Sequence, residues 1–331
     1  MRLGGCARMV DELARRALTV EAGCAGRRLD QVLAEAFPEF SRSRIQHWID
    51  DGRVQVNGAQ RRPRDKVRLG ELIVLAPAAE AASDPIAQPI PLAIVHEDED
   101  ILVVDKPADL VIHPAAGNRD GTLQNALLHH DRSLARLPRA GIVHRLDKDT
   151  TGLLVVAKTL TAHRSLVAQL QARTMRREYL AVVNGALVAG GCVDAPIGRH
   201  PFQRTHMAVV QSGRPAVTHY RVVERFAGHT LLRIHLETGR THQIRVHMAH
   251  IRHPLIGDPT YGGRPRVPKA ASPRLREALR VFPRQALHAA ALGLAHPRTG
   301  ATLAFQAAIP SDLASLLSQL RAEDGNVLDR A

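Results

Sequence analysis

Residues 141–158 constrain the fold of this chain more than any other stretch. Leu153, Leu154, Val155, Val156 and Ala157 form an unbroken apolar run, which reads as a short strand buried on both faces. Just ahead of it stand His144, Arg145, Asp147, Lys148 and Asp149, with Gly152 as the hinge between the two halves. Charged side chains delivered to the edge of a core element are costly to desolvate unless they pair or do chemistry. The strand fixes this loop in place, so the stretch reads as a site and not as a solvated turn.

The segment His144-Arg145-Leu146-Asp147 followed by Lys148-Asp149-Thr150-Thr151-Gly152-Leu153 resembles the signature of the RluA-type pseudouridine synthases. In that signature the Asp after Arg-Leu is catalytic, which implies the same role for Asp147. Thr151 stands where the signature more often has Ser. The resemblance runs through both parts of the chain, from about residue 26 to 320. It implies an α+β pseudouridine synthase fold, a mixed, largely antiparallel sheet with flanking helices and a cleft across the sheet. A small α+β S4-like domain is expected in front.

Further motifs carry the resemblance. Arg177-Glu178-Tyr179 matches the context in which the family places a Tyr against the target base, although a strand Tyr by itself is more often a core residue with a satisfied hydroxyl. Thr238-Gly239-Arg240-Thr241-His242-Gln243-Ile244-Arg245 resembles the motif whose first Arg pairs with the catalytic Asp, so Arg240 is expected to pair with Asp147. A cation at the amino end of a helix opposes the macrodipole, and a partner carboxylate would account for it. Arg145 is expected either to fill the space left by a flipped base or to contact a phosphate. Asp258 to Gly263 and Arg284 to His288 resemble segments of the branch acting on large-subunit ribosomal RNA, which implies the loop of helix 69 as target.

That chemistry breaks the uracil N1–C1′ bond, turns the base and rejoins it through C5. No redox or phosphate-transfer step is needed, so no cofactor is expected. A carboxylate can attack a sugar carbon; attack at C1′, attack at C6 and a glycal route are all compatible with Asp147. The target base must leave its stack at a cost of a few kcal/mol. The nearest alternative is the same reaction on tRNA or another rRNA uridine. A non-catalytic RNA-binding ribosome-assembly factor is the alternative of another class. A sugar hydrolase would need a second catalytic carboxylate, and none is evident.

Composition supports a polyanionic partner. The 331 residues carry 45 Lys and Arg against 32 Asp and Glu, a formal net charge of +13, and a basic surface of that size favours nucleic acid. The length exceeds what one hydrophobic core usually serves. The boundaries expected are an amino-terminal extension over 1–25, an S4-like RNA-binding domain over 26–75, a Pro- and Ala-rich linker over 76–92, a catalytic domain over 93–321 and a charged, frayed tail over 322–331. Met9 is a second candidate start. No apolar run reaches membrane-spanning length and no secretory segment opens the chain, so a cytoplasmic location is expected. No obligatory protein partner is inferred.

In the small domain, Leu29, Val32, Leu33, Ala36 and Phe37 mark one apolar helix face, stopped by Pro38. A second helix from Ser41–Ser43, with Ser43 and Gln46 at capping-box spacing, buries Ile45, Trp48 and Ile49 and closes at Gly52. Val54, Val56 and Asn57-Gly58 predict a hairpin, and residues 70–75 a closing strand. Arg42, Arg44, Arg53, Arg61 and Arg62 are the expected RNA-binding residues, gripping phosphates without reading sequence. Further on, residues 94–104 predict a hairpin with an acidic tip, 111–118 a strand and turn, and Thr122 a helix cap.

Cys6, Cys24 and Cys192 are too few and too scattered for a disulfide framework or a metal set. His242, His247, His250 and His253 lack an intervening carboxylate, so no metal site is expected there. They read as a polar, RNA-facing helix surface.

Overall fold

The computed structural model describes residues 15–37, 40, 42–77, 86–114, 118, 120–203, 205–264 and 266–328, with side chains omitted at 43 and beyond 323. The expected roles of Pro38, Ser41, the Ser43 cap, Gly117, Met9, Cys6 and the middle of the linker fall outside these residues. The chain divides into two compact units, Met1–Asp84 and Pro85–Ala331.

The first unit packs two helices on a four-stranded sheet. Its elements are β1 (Arg16–Thr19), α1 (Leu29–Ala36), α2 (Arg42–Asp50), β2 (Val54–Val56), β3 (Ala59–Gln60) and β4 (Leu72–Leu75), in sheet order β1-β4-β2-β3. Leu29, Val32, Leu33, Ile45, Trp48 and Ile49 enclose the core with Val54, Val56, Ile73 and Leu75. Asn57 and Gly58 turn with φ of 49° and 77°, the left-handed pair a tight hairpin requires. The domain begins earlier than the sequence suggests. β1 pairs antiparallel with β4, and Val20 is buried in the same core, so residues 16–20 belong to the fold and not to an extension. A four-residue strand with no turn signal before it leaves little trace in a sequence.

The second unit is built on a nine-stranded sheet. In chain order its elements are β5 (Ile94–Glu97), β6 (Ile101–Lys106), α3 (Leu123–His130), β7 (Thr151–Ala157), α4 (Leu160–Gln171), β8 (Arg176–Asn184) and β9 (Gly191–Asp194). A short hairpin of β10 (Ile197–Arg199) and β11 (Met207–Val209) stands apart from the sheet. Then come β12 (Val217–Phe226), β13 (His229–Leu236), α5 (Gln243–His250), α6 (Pro273–Val281), β14 (Leu287–Ala295), β15 (Thr302–Gln306) and α7 (Ser311–Leu328). The strand order is β5-β6-β7-β14-β8-β13-β12-β9, with β15 on β14. Only β7 and β14 run parallel; every other pairing in this sheet is antiparallel.

Strand pleating separates two cores, because successive side chains point to opposite faces. Leu102, Val104, Leu154 and Val156 face one core together with Leu123, Leu127, Ile244 and Met248. Ile101, Val103, Leu153 and Val155 face the other, against Ala162 and Leu166 of α4. Every residue of β7 is buried, as the apolar run predicts. Gly152 is obligatory there: its φ is 110°, and a Cβ would lie 2.2 Å from the Ala289 carbonyl oxygen.

Three expectations change. Residues 111–114 form no strand, only a single bridge from Val111 to Thr122, although Thr122 caps α3 as expected through a reciprocal capping box with Asn125. The linker ends earlier than residue 92, since Gln88 bonds Asn125 and Ile90 and Leu92 pack on the catalytic core. The carboxyl-terminal segment does not fray at Ala322: α7 continues to Leu328, and buried Glu323 accepts the Ser272 N–H. Among the described residues no helix is long and apolar enough to cross a membrane.

Candidate active site

A cleft of about 880 Å³ opens beside β8, lined by the loop 142–147, by Arg177 and Tyr179, and by residues 236–245. Four predicted residues meet there: Arg145, Asp147, Tyr179 and Arg240. Asp147 sits in the loop entering β7, and four side chains staple that loop. Buried Lys106, at the end of β6, donates to the carbonyls of Pro107, Leu110 and Lys148. Arg284 donates to the Asp149 carbonyl while paired with Asp312. Gln285 bonds the Thr150 hydroxyl, and His288 bonds that of Thr151. The segment from Arg284 to His288 therefore supports the loop that carries Asp147. Burial pulls the Lys106 ammonium down to about 8, opposed by the nearby Asp149 and Asp147 charges.

The cation that holds Asp147 is Arg245, not Arg240. Arg245 Nη1 lies 3.1 Å from Asp147 Oδ2, and its Nε and Nη2 bond Asp258 at 2.7 and 2.8 Å. Arg240 instead donates to the Pro215 carbonyl from the rim of the cleft. The reason lies in where the helix begins. The turn continues through Thr241 and His242, so α5 starts at Gln243 and its first turn aims Arg245 inward. Gln243 secures this turn, accepting from Thr238 and from the Arg240 N–H and donating to Val217 and Thr218.

Asp258 is fully buried and also accepts the Thr260 and Tyr261 N–H groups. Burial by itself raises its carboxyl, but Arg245 and these backbone donors hold it below the ordinary carboxylate range. Arg245 stays charged, because two carboxylates outweigh its own desolvation. Sequence reasoning misses both residues, although Arg245 closes the quoted Thr-Gly-Arg-Thr-His-Gln-Ile-Arg motif. The macrodipole argument applies to any cation in the first turn of α5, and the face that points at Asp147 is what selects Arg245.

Tyr179 lies on β8 between Ala289 and Ile234, with 5% of its surface exposed, and burial raises its hydroxyl pKa. Its ring forms part of the cleft wall. His144 serves the backbone: its Nε2 accepts the Val155 N–H, and burial depresses it to about 3. The histidines in and around α5 do not form one polar face. His247 is fully buried between Thr218 and the Ala195 carbonyl, and His253 bonds the Asn184 carbonyl.

Among the described residues, Asp98, Asp100 and His296 form a group of close ligand-type side chains on the β5–β6 tip and at the end of β14. His296 Nδ1 accepts the N–H groups of Arg298 and Thr299, which leaves Nε2 as a donor to Asp98, and Arg298 occupies Asp100. That hydrogen-bonding pattern uses the nitrogen a metal would need.

In the first unit Arg42 pairs with buried Asp30 and Arg61 with Glu71, while Arg44 stacks on Trp48 and Phe40. Arg53 and Arg62 are exposed and show no carboxylate partner among the described residues.

Residues 100–250 match the family model described as RNA pseudouridylate synthase, and residues 27–73 match the S4 domain. The chain belongs to the RNA pseudouridine synthase family. Its relatives include ribosomal large subunit pseudouridine synthase D of Pseudomonas aeruginosa, 59% identical over 94% of this chain and 98% of that protein. The proteins of the same name from Escherichia coli (58%, covering 92% and 94%) and Yersinia pestis (56%, covering 94% and 96%) are comparably similar. Among solved structures, human RNA pseudouridylate synthase domain containing 4 superposes with a TM-score of 0.54 at 25% identity, over 69% of this chain and 93% of that one. Human RNA pseudouridylate synthase domain containing 1 gives 0.51 at 26%, over 71% and 97%. The resemblance read from the catalytic loop, the expected sheet and the S4 domain agree with these matches.

Proposed function

We propose that this enzyme converts uridine to pseudouridine in large-subunit ribosomal RNA, with Asp147 as the reacting carboxylate. The observation that carries the reading is the Asp147–Arg245 pair at the wall of the cleft beside Tyr179. A carboxylate held by a guanidinium is fixed in orientation, as attack on a sugar or ring carbon requires. Tyr179 offers a ring against the target base, and stacking of that kind returns about 1–3 kcal/mol of the flipping cost. Arg145 and Arg240, at the cleft, are assigned to the phosphates of the target strand or to the space the base vacates. The S4 domain, through Arg53 and Arg62 above all, docks the RNA by its backbone.

The large-subunit target is supported by the names of relatives 56–59% identical over nearly their whole length. The loop of helix 69 is the position this reading adopts within that RNA, and the cytoplasm is the compartment it assigns. Mapping pseudouridine in ribosomal RNA from cells lacking the protein, with and without the Asp147→Asn variant supplied back, tests the reading. Loss of specific large-subunit sites, restored by the wild type alone, is expected; unchanged rRNA would overturn the target.

A further inference from the structure

His242 and Tyr261 are not used by the chemistry described so far. His242 is the residue before α5, where Ser, Thr, Asp or Asn would normally cap the helix. Its side chain makes no capping bond, and its backbone is left-handed at φ 56°, ψ 22°. A non-glycine residue held in that region is strained, and such strain gathers at functional sites. Here the conformation turns the imidazole into the cleft, which it lines, with Nε2 3.9 Å from Asp147 Oδ1. That gap is too long for a hydrogen bond between the two.

Tyr261 determines which ring nitrogen carries the proton. Its hydroxyl accepts the Met207 N–H at 2.9 Å and lies 2.8 Å from His242 Nδ1. Among the described residues the phenolic proton has one acceptor, that same Nδ1. Donation to Nδ1 makes it the acceptor and leaves the hydrogen on Nε2, the nitrogen beside Asp147. Burial keeps both groups in the forms this requires, a neutral imidazole and a protonated phenol. Arg245, the neighbouring cation, is committed to Asp147 and Asp258 and lies over the Tyr261 ring, its guanidinium carbon 5.1 Å from the centroid.

We propose that His242, set in one tautomer by Tyr261, is a catalytic residue: its Nε2–H is the neutral donor that the cleft presents to a carbonyl oxygen of the target uracil. The proposal rests on the pseudouridine synthase reading above. When the N1–C1′ bond breaks, its electron pair leaves with the base, and negative charge spreads onto the ring carbonyls. A fixed donor at that oxygen stabilises the detached base without surrendering its proton. After the base turns, C5 bonds to C1′, the C5 hydrogen leaves as a proton and N1 takes one up, so protons and electrons balance. Tyr261 is a positioning residue acting through His242, which gives the Asp258–Gly263 segment a part in the reaction.

The test uses the full-length chain and a large-subunit rRNA transcript, reading single-turnover rate, RNA affinity and thermal midpoint. Asn tolerates the left-handed backbone but its amide falls short of the Nε2 position; Gln places an N–H close to it. His242→Asn should lose about 10²–10³-fold in rate, with RNA affinity and midpoint unchanged, and His242→Gln should recover at least about tenfold of that loss. Tyr261→Phe should slow the wild type but add nothing in the His242→Asn background. A wild-type rate in His242→Asn overturns the proposal. So does a loss equal in Asn and Gln and matched by a lowered midpoint, which would make His242 structural. A wild-type chain forming no pseudouridine in any RNA would instead defeat the functional reading beneath it.

Discussion

Asp147 and Asp258 share one guanidinium: Arg245 gives Nη1 to Asp147 at 3.1 Å and keeps Nε and Nη2 on Asp258. Asp147 is thus held by a cation whose position is set by a second, fully buried carboxylate. Removing Arg245 strands Asp258, and breaking a buried pair in this way costs about 3–5 kcal/mol. Arg245→Ala is therefore expected to lose both activity and several kcal/mol of stability in denaturant unfolding, and Arg245→Lys to keep charge without the fork. Arg240→Ala should stay within about 0.5 kcal/mol of the wild type, as for an ordinary surface change. Equal destabilisation by the two alanine variants would refute this division.

Asp147→Asn should behave differently from either. Asp258 keeps Arg245 compensated, so the fold should hold to within about 1 kcal/mol. Product formation should vanish while RNA affinity is retained, because the carboxylate itself does not grip phosphate. Turnover by purified Asp147→Asn in a single-turnover assay would remove Asp147 from the chemistry.

The contrast between Arg240 and Arg245 shows what was legible in the sequence. The resemblance implies that the loop carrying Asp147, Tyr179 and the helix after Thr238 share one neighbourhood, and periodicity marks the elements they lie on. Which cation in that motif reaches Asp147 depends on the residue at which α5 begins, and helix starts are poorly marked when no side chain caps them. Asp258 and Tyr261 come from a turn that reads as an ordinary Pro-Gly loop. His247 reads as surface because histidine spacing cannot show that Thr218 and the Ala195 carbonyl satisfy it in the core. β1 is hidden for a similar reason: its partner β4 lies more than fifty residues away, at Leu72–Leu75.

Tyr179 separates ring from hydroxyl. Tyr179→Phe keeps the ring in the cleft wall and should retain RNA affinity, so a fall in single-turnover rate there would assign work to the hydroxyl. Tyr179→Ala should lower both affinity and rate, with a cavity cost of about 3–5 kcal/mol as for other buried aromatics. Normal turnover by Tyr179→Ala would return this residue to a purely structural part.

Acid should weaken the second unit well above the pKa of its carboxylates. His144 titrates near 3 when folded, because its ring nitrogens are shut from solvent and Arg177 lies nearby, against about 6.5 unfolded. A folded pKa below the unfolded one means that the unfolded chain binds the extra proton between these values. Stability then falls as pH drops from about 6.5, by up to about 1.4 kcal/mol per pH unit for this histidine. His144→Gln retains an acceptor for the Val155 N–H but cannot titrate. Unfolding curves between pH 6.5 and 5, followed by circular dichroism, should show a shallower pH slope for this variant, and identical slopes would exclude the assignment.

The last prediction concerns the two units. Pro85 begins the second unit, and Gln88, Ile90 and Leu92 already pack within it, so a truncation that leaves the pocket whole must start at Pro85 and not at Pro91. The shortened chain retains Asp147, Arg245, Tyr179 and their supports, and its single-turnover rate at saturating RNA should match that of the full chain. What it gives up is the S4 domain, in which Arg53 and Arg62 are exposed while Arg42 and Arg61 pair with Asp30 and Glu71. Each phosphate gripped by a protein cation adds about −0.7 to −0.9 to the slope of log affinity against log salt. Releasing two phosphates would flatten that slope by about 1.5 and weaken capture most at low salt, where counterion release is worth most. Binding measured over a salt series for both chains decides the matter. Equal affinities and equal slopes would show that the domain is no RNA anchor. A collapsed rate at saturation would make it part of the catalytic architecture.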